Sequence, residues 1–352
     1  MIYKIKIEYK DSGILFPLLE SLRACDNLNS NKKICILELL YHSPMQLKRR
    51  KFLKNSTAIL ATGIASPYLL SKNIPQPEMN IPADFNFKFY STNWGYSGDL
   101  ESFCIKTKKE GYQGIEIWAP RDAKTRENLL RLTDLHQLEF GLLIGTGETD
   151  AKSHTSSFLA YADETVELKP AYINCHSGRD YFTMEENKPM LQHSFELEAR
   201  TGIPIYHETH RGRCLYTAPL TAQYLKTFSA LRLTLDISHW TTVHESMLEG
   251  QDEAVELAIS RTHHIHSRIG YAEGPQVNDP RAPEWEAAVR AHLGWWDRVV
   301  QARIKEGKKS LTILTEFGPP PYLPATPFTQ MPLADQWAIN VYMMQLLRKR
   351  WQ

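Results

Sequence analysis

The chain has 352 residues, of which 42% are hydrophobic and 23% charged, an ordinary globular composition. Lysine plus arginine (41) nearly balance aspartate plus glutamate (40), for a net charge of +1. That charge gives no general attraction to nucleic acid or to acidic membranes, so we expect no nucleic-acid partner. The five cysteines form neither a disulfide framework nor a CxxC metal motif: Cys25, Cys35, Cys104, Cys175 and Cys214.

A segment near residue 50 has the pattern of an export signal. A basic run from Lys48 to Lys54 precedes the weakly apolar run Ser56–Leu70, which contains small residues around Ala65. The pair Arg49-Arg50, followed by Phe-Leu-Lys, resembles the twin-arginine export motif, although Lys48 stands where Ser or Thr is usual. The alternative interpretation is a basic-ended surface helix.

This pattern divides the chain into four expected segments. Residues 1–44 would be a gene-model extension or a disordered segment, with Met45 as the true start. Residues 45–66 would be the signal peptide, 67–84 a linker and 85–352 the folded domain. We therefore expect an exported, periplasmic protein with no stable membrane span after processing.

Eight apolar runs of strand length alternate with amphipathic segments after residue 84. Each run is rich in β-forming residues and bounded by Gly, Pro or polar residues. The runs are Lys88–Gly95, Gly114–Pro120, Glu139–Gly145, Ala171–Gly178, Ile203–His210, Leu231–Trp240, Thr262–Tyr271 and Leu311–Pro319. The helix-like segments are Asp99–Glu110, Lys124–His136, Ser157–Lys169, Leu191–Thr201, Thr217–Ala230, Gln251–Arg261 and Glu284–Gly307.

The spacing of these elements predicts an α/β fold, a (β/α)8 TIM barrel. Successive steps from His176 to Glu208, Asp236 and His266 are 32, 28 and 30 residues, the length of one βα unit. A doubly wound open sheet is the structural rival, but no Gly-rich phosphate-binding turn follows any strand. The loop Ile269–Pro283 is longer than the others and would lie over the barrel mouth.

Charged and imidazole side chains cluster where the last four strands end. They include Glu208, Asp236, His266 and Glu316. Two Glu, one Asp and one His make a mixed oxygen and nitrogen site that suits one Mn²⁺, Mg²⁺, Co²⁺ or Zn²⁺ ion, with Mn²⁺ favoured. Alone, each carboxylate is more often a helix cap or salt-bridge partner, and a lone His is usually just hydrogen-bonded. Four such residues ending four consecutive strands favour a metal site.

The succession IYHETH, LTLDISHW, HIHSR and LTEFG resembles the xylose isomerase-like TIM-barrel superfamily, the sugar phosphate isomerase/epimerase group, over residues 85–350. The resemblance implies that Glu208, Asp236, His266 and Glu316 bind the metal and that Glu208 and Glu316 are the catalytic acid and base. It also implies that His239 and an Arg after the metal His contact substrate. Here that Arg is Arg268, only two residues past His266, closer than in the ketose 3-epimerases.

These features predict a metal-dependent sugar isomerase or epimerase. Such an enzyme removes a proton beside a carbonyl, and a metal stabilises the resulting enediolate. Export favours a free or oxidised (keto) sugar over a phosphorylated one. The expected substrate contacts are His239, Arg268, His176, Glu116, His210 and Trp118, with Trp94 and Trp240 as further wall or core residues.

Other functions remain open on the sequence. A dehydratase or 3-keto-glycoside lyase could use the same site to expel a leaving group. An AP-endonuclease-type nuclease is a remote alternative, disfavoured by the near-zero charge. A catalytically inactive sugar-binding barrel is another alternative, disfavoured by the intact set of expected ligands. The substrate and its stereochemistry stay undetermined, and a homo-oligomer is compatible with the sequence.

Overall fold

The computed structural model describes residues 79–351, and these form a closed barrel of eight parallel strands in sequential order. The expected export signal and most of the expected linker lie outside the described residues. The strands are β1 (Asn86–Thr92), β2 (Gly114–Trp118), β3 (Glu139–Gly145), β4 (Tyr172–His176), β5 (Ile205–Glu208), β6 (Leu233–Leu235), β7 (Thr262–His266) and β8 (Ser310–Thr315). The barrel closes where β1 pairs with β8, from Asn86 opposite Ser310 to Ser91 opposite Thr315.

Helices follow the strands around the outside of the barrel. They are α1 (Leu100–Glu110), α2 (Ala123–Leu135), α3 (Ala151–Val166), α4 (Met184–Thr201), α5 (Ala218–Thr227), α6 (Ser238–Val243), α7 (Asp252–Ser260), α8 (Glu286–Lys305) and α9 (Gln336–Trp351). A 3₁₀ turn, Pro283–Trp285, precedes α8. Among the described residues, no helix is both long and apolar enough to cross a bilayer.

Side-chain caps fix where several helices begin. Asp99, Asp122 and Asp150 each accept a hydrogen bond from the backbone N–H three residues later, which satisfies a donor that the helix itself leaves free. Thr183 and Glu186 form a reciprocal capping box at the start of α4. These short polar residues therefore end the loops that leave the strands and set the direction of the following helix.

The TIM barrel predicted from the sequence is confirmed, with eight strands close to the eight predicted runs. Two helices were missed, the short α6 and the C-terminal α9. The sixth run was read as strand as far as Trp240, but the strand ends at Leu235 and Ser238 begins α6. Helix α4 begins at Met184, seven residues before the predicted start.

The interior of the barrel is filled by aromatic rings that pack over glycines. Tyr90, Tyr172 and Tyr206 form a buried aromatic cluster: Tyr90 and Tyr172 meet edge to face with ring centroids 5.3 Å apart, and Tyr172 and Tyr206 stack with centroids 5.8 Å apart. Gly114 and Gly141 lie under two of these rings, and a Cβ at either position would come within 2.4 Å of a tyrosine ring atom. This aromatic layer fills the barrel below the carboxyl ends of the strands, so the polar side chains at those ends pack against a closely filled interior.

His292 of α8 anchors the long loop between β7 and α8. Its Nε2 accepts a hydrogen bond from the backbone N–H of Gly270 at 3.1 Å, so Nδ1 carries the proton that it donates to the Ala288 carbonyl at 2.8 Å. The ring is therefore neutral, and burial lowers the pKa of His292 to about 4.

Candidate metal centre

The four residues expected to bind metal come together at the carboxyl ends of neighbouring strands. Glu208 ends β5, His266 ends β7, and Asp236 and Glu316 directly follow β6 and β8. One ligand atom from each lies within 4.8 Å of the others, and all four side chains are buried or nearly so. The barrel topology creates this cluster, because parallel strands present their last residues at one rim.

Three of these side chains each direct one atom towards the others, and these three atoms have no hydrogen-bond partner in residues 79–351. The atoms are Glu208 Oε1, His266 Nδ1 and Glu316 Oε2. His266 Nδ1 lies 2.9 Å from Glu316 Oε2 and 3.6 Å from Glu208 Oε1. Buried polar atoms without hydrogen bonds are costly, and three such atoms converging on one point fit a divalent cation.

Asp236 differs from the other three because both of its oxygens are engaged. Oδ1 accepts hydrogen bonds from the backbone N–H and the hydroxyl of Ser238, and Oδ2 accepts one from the Arg268 guanidinium. Arg268 also donates to His239 Nε2 at 2.7 Å and lies 3.6 Å from Glu316 Oε2. The positively charged Arg268 guanidinium thus lies within the centre, beside two of the expected ligands.

A second layer of polar residues supports His266 from below. Glu116 Oε1 lies 3.3 Å from His266 Nε2, and Oε2 accepts a hydrogen bond from the Tyr172 hydroxyl at 2.8 Å and lies 3.1 Å from His264. Both oxygens of Glu116 are therefore engaged. This carboxylate holds the ring nitrogen of His266 that faces away from Glu208 and Glu316, the arrangement that orients metal-binding histidines in proteins.

Asn174 of β4 was not expected from the sequence, yet its amide joins both layers. Its Nδ2 lies 2.8 Å from Glu208 Oε2, 3.3 Å from Glu116 Oε1 and 3.2 Å from His266 Nε2. The available signal was strand alternation, since Asn174 is two residues before His176 and so faces the same side of the sheet.

The electrostatics follow from burial and from the close carboxylates. Burial alone would raise the pKa of Glu208, but interactions with the neighbouring imidazoles of His176 and His266 hold it well below its usual range. Burial would likewise lower the pKa of His266, and the carboxylates of Glu316, Glu208 and Glu116 raise it well above the ordinary value. Burial raises the pKa of Asp236 to about 7, although Arg268 opposes the shift.

A cleft of about 230 Å³ opens directly above the centre. Its lining includes Glu316, Arg268, His176 and His210 together with the aromatic residues Trp94, Trp118 and Tyr322. Its volume is below the roughly 300–1,000 Å³ of pockets that bind drug-sized molecules, which suits a molecule of about one sugar ring. Of the expected wall residues, Trp118 is 50% exposed at the rim, whereas Trp240 is fully buried in the core.

The expected substrate contacts are thus separated into two groups. His176, His210, Arg268, Glu116 and Trp118 line the cleft. His239 lies on α6, fully buried, with its ring 3.9 Å from that of His210. Burial lowers the pKa values of His210 and His239 well below their usual range, so both imidazoles are neutral at pH 7. His176 also bonds Glu208 Oε2 at 2.9 Å, connecting the cleft to a buried ligand.

Two side-chain amides fix the backbone that follows Glu316. Asn340 of α9 accepts from the Phe317 N–H at 2.8 Å and donates to its carbonyl at 3.0 Å. Gln276 makes the same pair of bonds to the N–H and carbonyl of Gly318, at 2.7 and 3.1 Å. Each amide makes the pair of backbone hydrogen bonds that a neighbouring strand would otherwise make, so the residues directly after Glu316 are held in place although β8 has ended. The sequence contains no motif that would have identified them.

Comparison with solved structures finds the same fold in proteins of low sequence identity. A D-tagatose 3-epimerase-like protein matches with a TM-score of 0.50 and 16% identity, over 75% of this chain and 96% of that chain. The 3-keto-D-glucoside 4-epimerase of E. coli, in its apo form, matches with a TM-score of 0.50 and 12% identity, over 75% of this chain and 100% of that chain. At such identities the likeness establishes the shared TIM-barrel fold.

Comparisons of the sequence itself give no match. No protein-family model matches the chain, and no curated protein matches it. Any assignment of activity therefore depends on the geometry of the site.

Proposed function

We propose that the protein is a divalent-metal-dependent enzyme that isomerises or epimerises a non-phosphorylated or oxidised (keto) sugar by moving a proton beside a carbonyl. The convergence of three buried ligand atoms, Glu208 Oε1, His266 Nδ1 and Glu316 Oε2, supports this most directly. A metal bound there would act as a Lewis acid that polarises the carbonyl and stabilises negative charge next to it.

The two glutamates approach the centre from different sides. They come from β5 and β8, which are separated around the barrel by β6 and β7. Proton removal on one face of a sugar and return on the other requires a proton-transfer group on each side. In our proposal Glu316 serves one side, and Glu208 serves the other through its contact with His176.

The two sides differ in how far they reach into the cleft. Glu316 lines the cleft directly, with 11% of its side chain exposed. Glu208 is 1% exposed and bonds His176 through Oε2, and His176 lines the cleft. We therefore assign Glu316 as the group that takes or gives the proton on its own face. On the other face, His176 transfers the proton and Glu208 acts as the carboxylate behind it.

The remaining cleft residues suit a carbohydrate. Arg268 and His210 offer polar groups for hydroxyl oxygens, and Trp94, Trp118 and Tyr322 offer aromatic faces for sugar C–H groups. Two of the solved structures of similar fold are described as a sugar epimerase and a sugar epimerase-like protein, which is consistent with the proposal.

The test is a substrate panel with two variants. Wild-type protein with Mn²⁺ is assayed on free, phosphorylated and 3-keto sugars, and products are identified by NMR. A 3-keto-glucoside converted to its epimer supports the proposal, whereas release of the aglycone would show a lyase instead. Glu316→Gln should abolish turnover because it removes a ligand charge and the base together.

Glu286→Gln is the matched control, because Glu286 pairs with Arg290 on the outer helix α8, with 29% of its side chain exposed. It should retain full activity. A Glu316→Gln variant that still turns over substrate with metal bound would overturn the assignment of the base.

A further inference from the structure

The expected metal ligands divide into two classes in this structure. Glu208, His266 and Glu316 each direct an atom without a hydrogen-bond partner in residues 79–351 into the centre. Asp236 directs none, because Ser238 takes Oδ1 and the Arg268 guanidinium takes Oδ2. Glu208, His266 and Glu316 therefore each present such an atom to a metal ion, whereas Asp236 is already paired with the Arg268 guanidinium.

Arg268 is fixed in this place by buried contacts. The residue is 2% exposed, its Nε donates to Ser238 Oγ at 3.1 Å, and its Nη2 donates to both Asp236 and His239. The same nitrogen lies 3.6 Å from Glu316 Oε2. A guanidinium so close to two expected ligands adds a positive charge that a divalent cation must approach or displace.

The cleft provides a second place for the same guanidinium. The Arg268 guanidinium carbon already lies 4.8 Å from the centre of the Tyr322 ring and 6.0 Å from that of Trp94. Aromatic faces stabilise a guanidinium through cation–π contacts. These rings therefore contact the guanidinium on its cleft side while it is still paired with Asp236.

We propose that Arg268 is an internal competitor of the metal for Asp236. While Arg268 holds Oδ2, the centre offers a metal only the three ligand atoms that lack a hydrogen bond, and full metal binding moves the guanidinium towards Tyr322 and Trp94. Arg268 therefore lowers the metal affinity, and loading of the centre moves its guanidinium, which already borders the cleft, further towards it. This inference rests on the proposed function, because it requires a metal at Glu208, His266 and Glu316.

Metal titration of variants tests the competition. Binding of Mn²⁺ is measured by calorimetry on metal-stripped wild type, Arg268→Gln, Asp236→Asn, the Asp236→Asn/Arg268→Gln double variant and Arg290→Gln. Arg290 pairs with Glu286 on the surface of α8 and controls for the loss of one positive charge. We expect Arg268→Gln to bind Mn²⁺ about tenfold or more tightly than wild type, with Arg290→Gln unchanged.

The double variant tests whether Asp236 is the ligand for which Arg268 and Mn²⁺ compete. If the gain arises at Asp236, removing Arg268 in the Asp236→Asn background should give a much smaller increase. An Arg268→Gln affinity equal to or weaker than that of wild type overturns the proposal, as does an equal gain in both backgrounds.

A second measurement needs no variant and so does not depend on whether Arg268→Gln folds. Crystals of wild type grown with saturating Mn²⁺ should show Arg268 released from Asp236, and an intact Arg268–Asp236 pair in metal-loaded protein would overturn the inference. Wild type that binds no Mn²⁺ at this centre would instead refute the proposed function, and the inference with it.

Discussion

Replacing Glu116 by Gln tests the support of the metal centre in a nearly isosteric way. Glu116 Oε1 faces His266 Nε2 at 3.3 Å, and the Glu116 side chain is almost completely buried. In the proposed metal centre, this charged acceptor would orient the ring and make the nitrogen on its opposite side a stronger ligand. Loss of such a partner typically weakens metal affinity about 10- to 100-fold, or roughly 1.4–2.7 kcal/mol of binding free energy.

The assay is calorimetric titration of metal-stripped protein with Mn²⁺, together with thermal unfolding in a chelator. Glu139→Gln is the matched control, because Glu139 also accepts a hydrogen bond from a tyrosine, Tyr90 at 2.6 Å, but begins β3 at the other end of the barrel. Its affinity should match wild type. Unchanged Mn²⁺ affinity in a folded Glu116→Gln variant would refute the reasoning, because Glu116 would then only fill space.

Two further predictions concern the elements that hold the site. Asn340→Ala leaves the buried N–H of Phe317 without a partner, whereas its carbonyl keeps the hydrogen bond from Gln336 at 2.8 Å, and we expect a loss of about 1–3 kcal/mol in unfolding free energy with weaker Mn²⁺ binding. Asn128→Ala on α2 is the control, and an equal effect there would contradict the role of Asn340 in holding the backbone after Glu316. The folded pKa of His292, about 4, lies below its unfolded value near 6.5. The neutral, buried His292 therefore contributes its full share of the unfolding free energy above pH 6.5, and that contribution is lost as pH falls towards 4, by roughly 2 kcal/mol at pH 5. Denaturant unfolding at pH 7.5 and 5 should show that loss in wild type and in His136→Gln but less of it in His292→Gln, and equal losses in all three would disprove it.

The repeating part of the fold was predictable because each strand repeats one local pattern. Runs of β-forming residues at a period of about thirty specify a βα unit, and eight units close a barrel. The missed elements lacked that pattern. Helix α6 is six residues long and continues directly from an apolar strand, and α9 follows a long loop rather than a regular spacing.

The candidate site was predictable where titratable side chains lie at the ends of strands. Glu208 and His266 end their strands, and the structure brings them together with Asp236 and Glu316 as expected. The supporting contacts of Asn174 depend on which side chains meet across the barrel, and no linear motif encodes that.

The position of Arg268 was likewise predictable only in part. Its spacing from His266 put it on the correct face, but the sequence could not reveal that its guanidinium reaches Asp236. That contact depends on the turn into α6, where Ser238 and His239 receive the arginine's other donors.

The central claim is that one divalent ion binds among Glu208, His266 and Glu316, and anomalous diffraction from Mn²⁺-loaded crystals tests it most directly. The account predicts one strong anomalous peak per chain, with Glu208 Oε1, His266 Nδ1 and Glu316 Oε2 among its ligands. Two other groups in the described part of the chain share some of these residues, His176–Glu208–His210 and Glu116–His264–His266. A peak at either of those groups, or none at saturating Mn²⁺, would contradict the account.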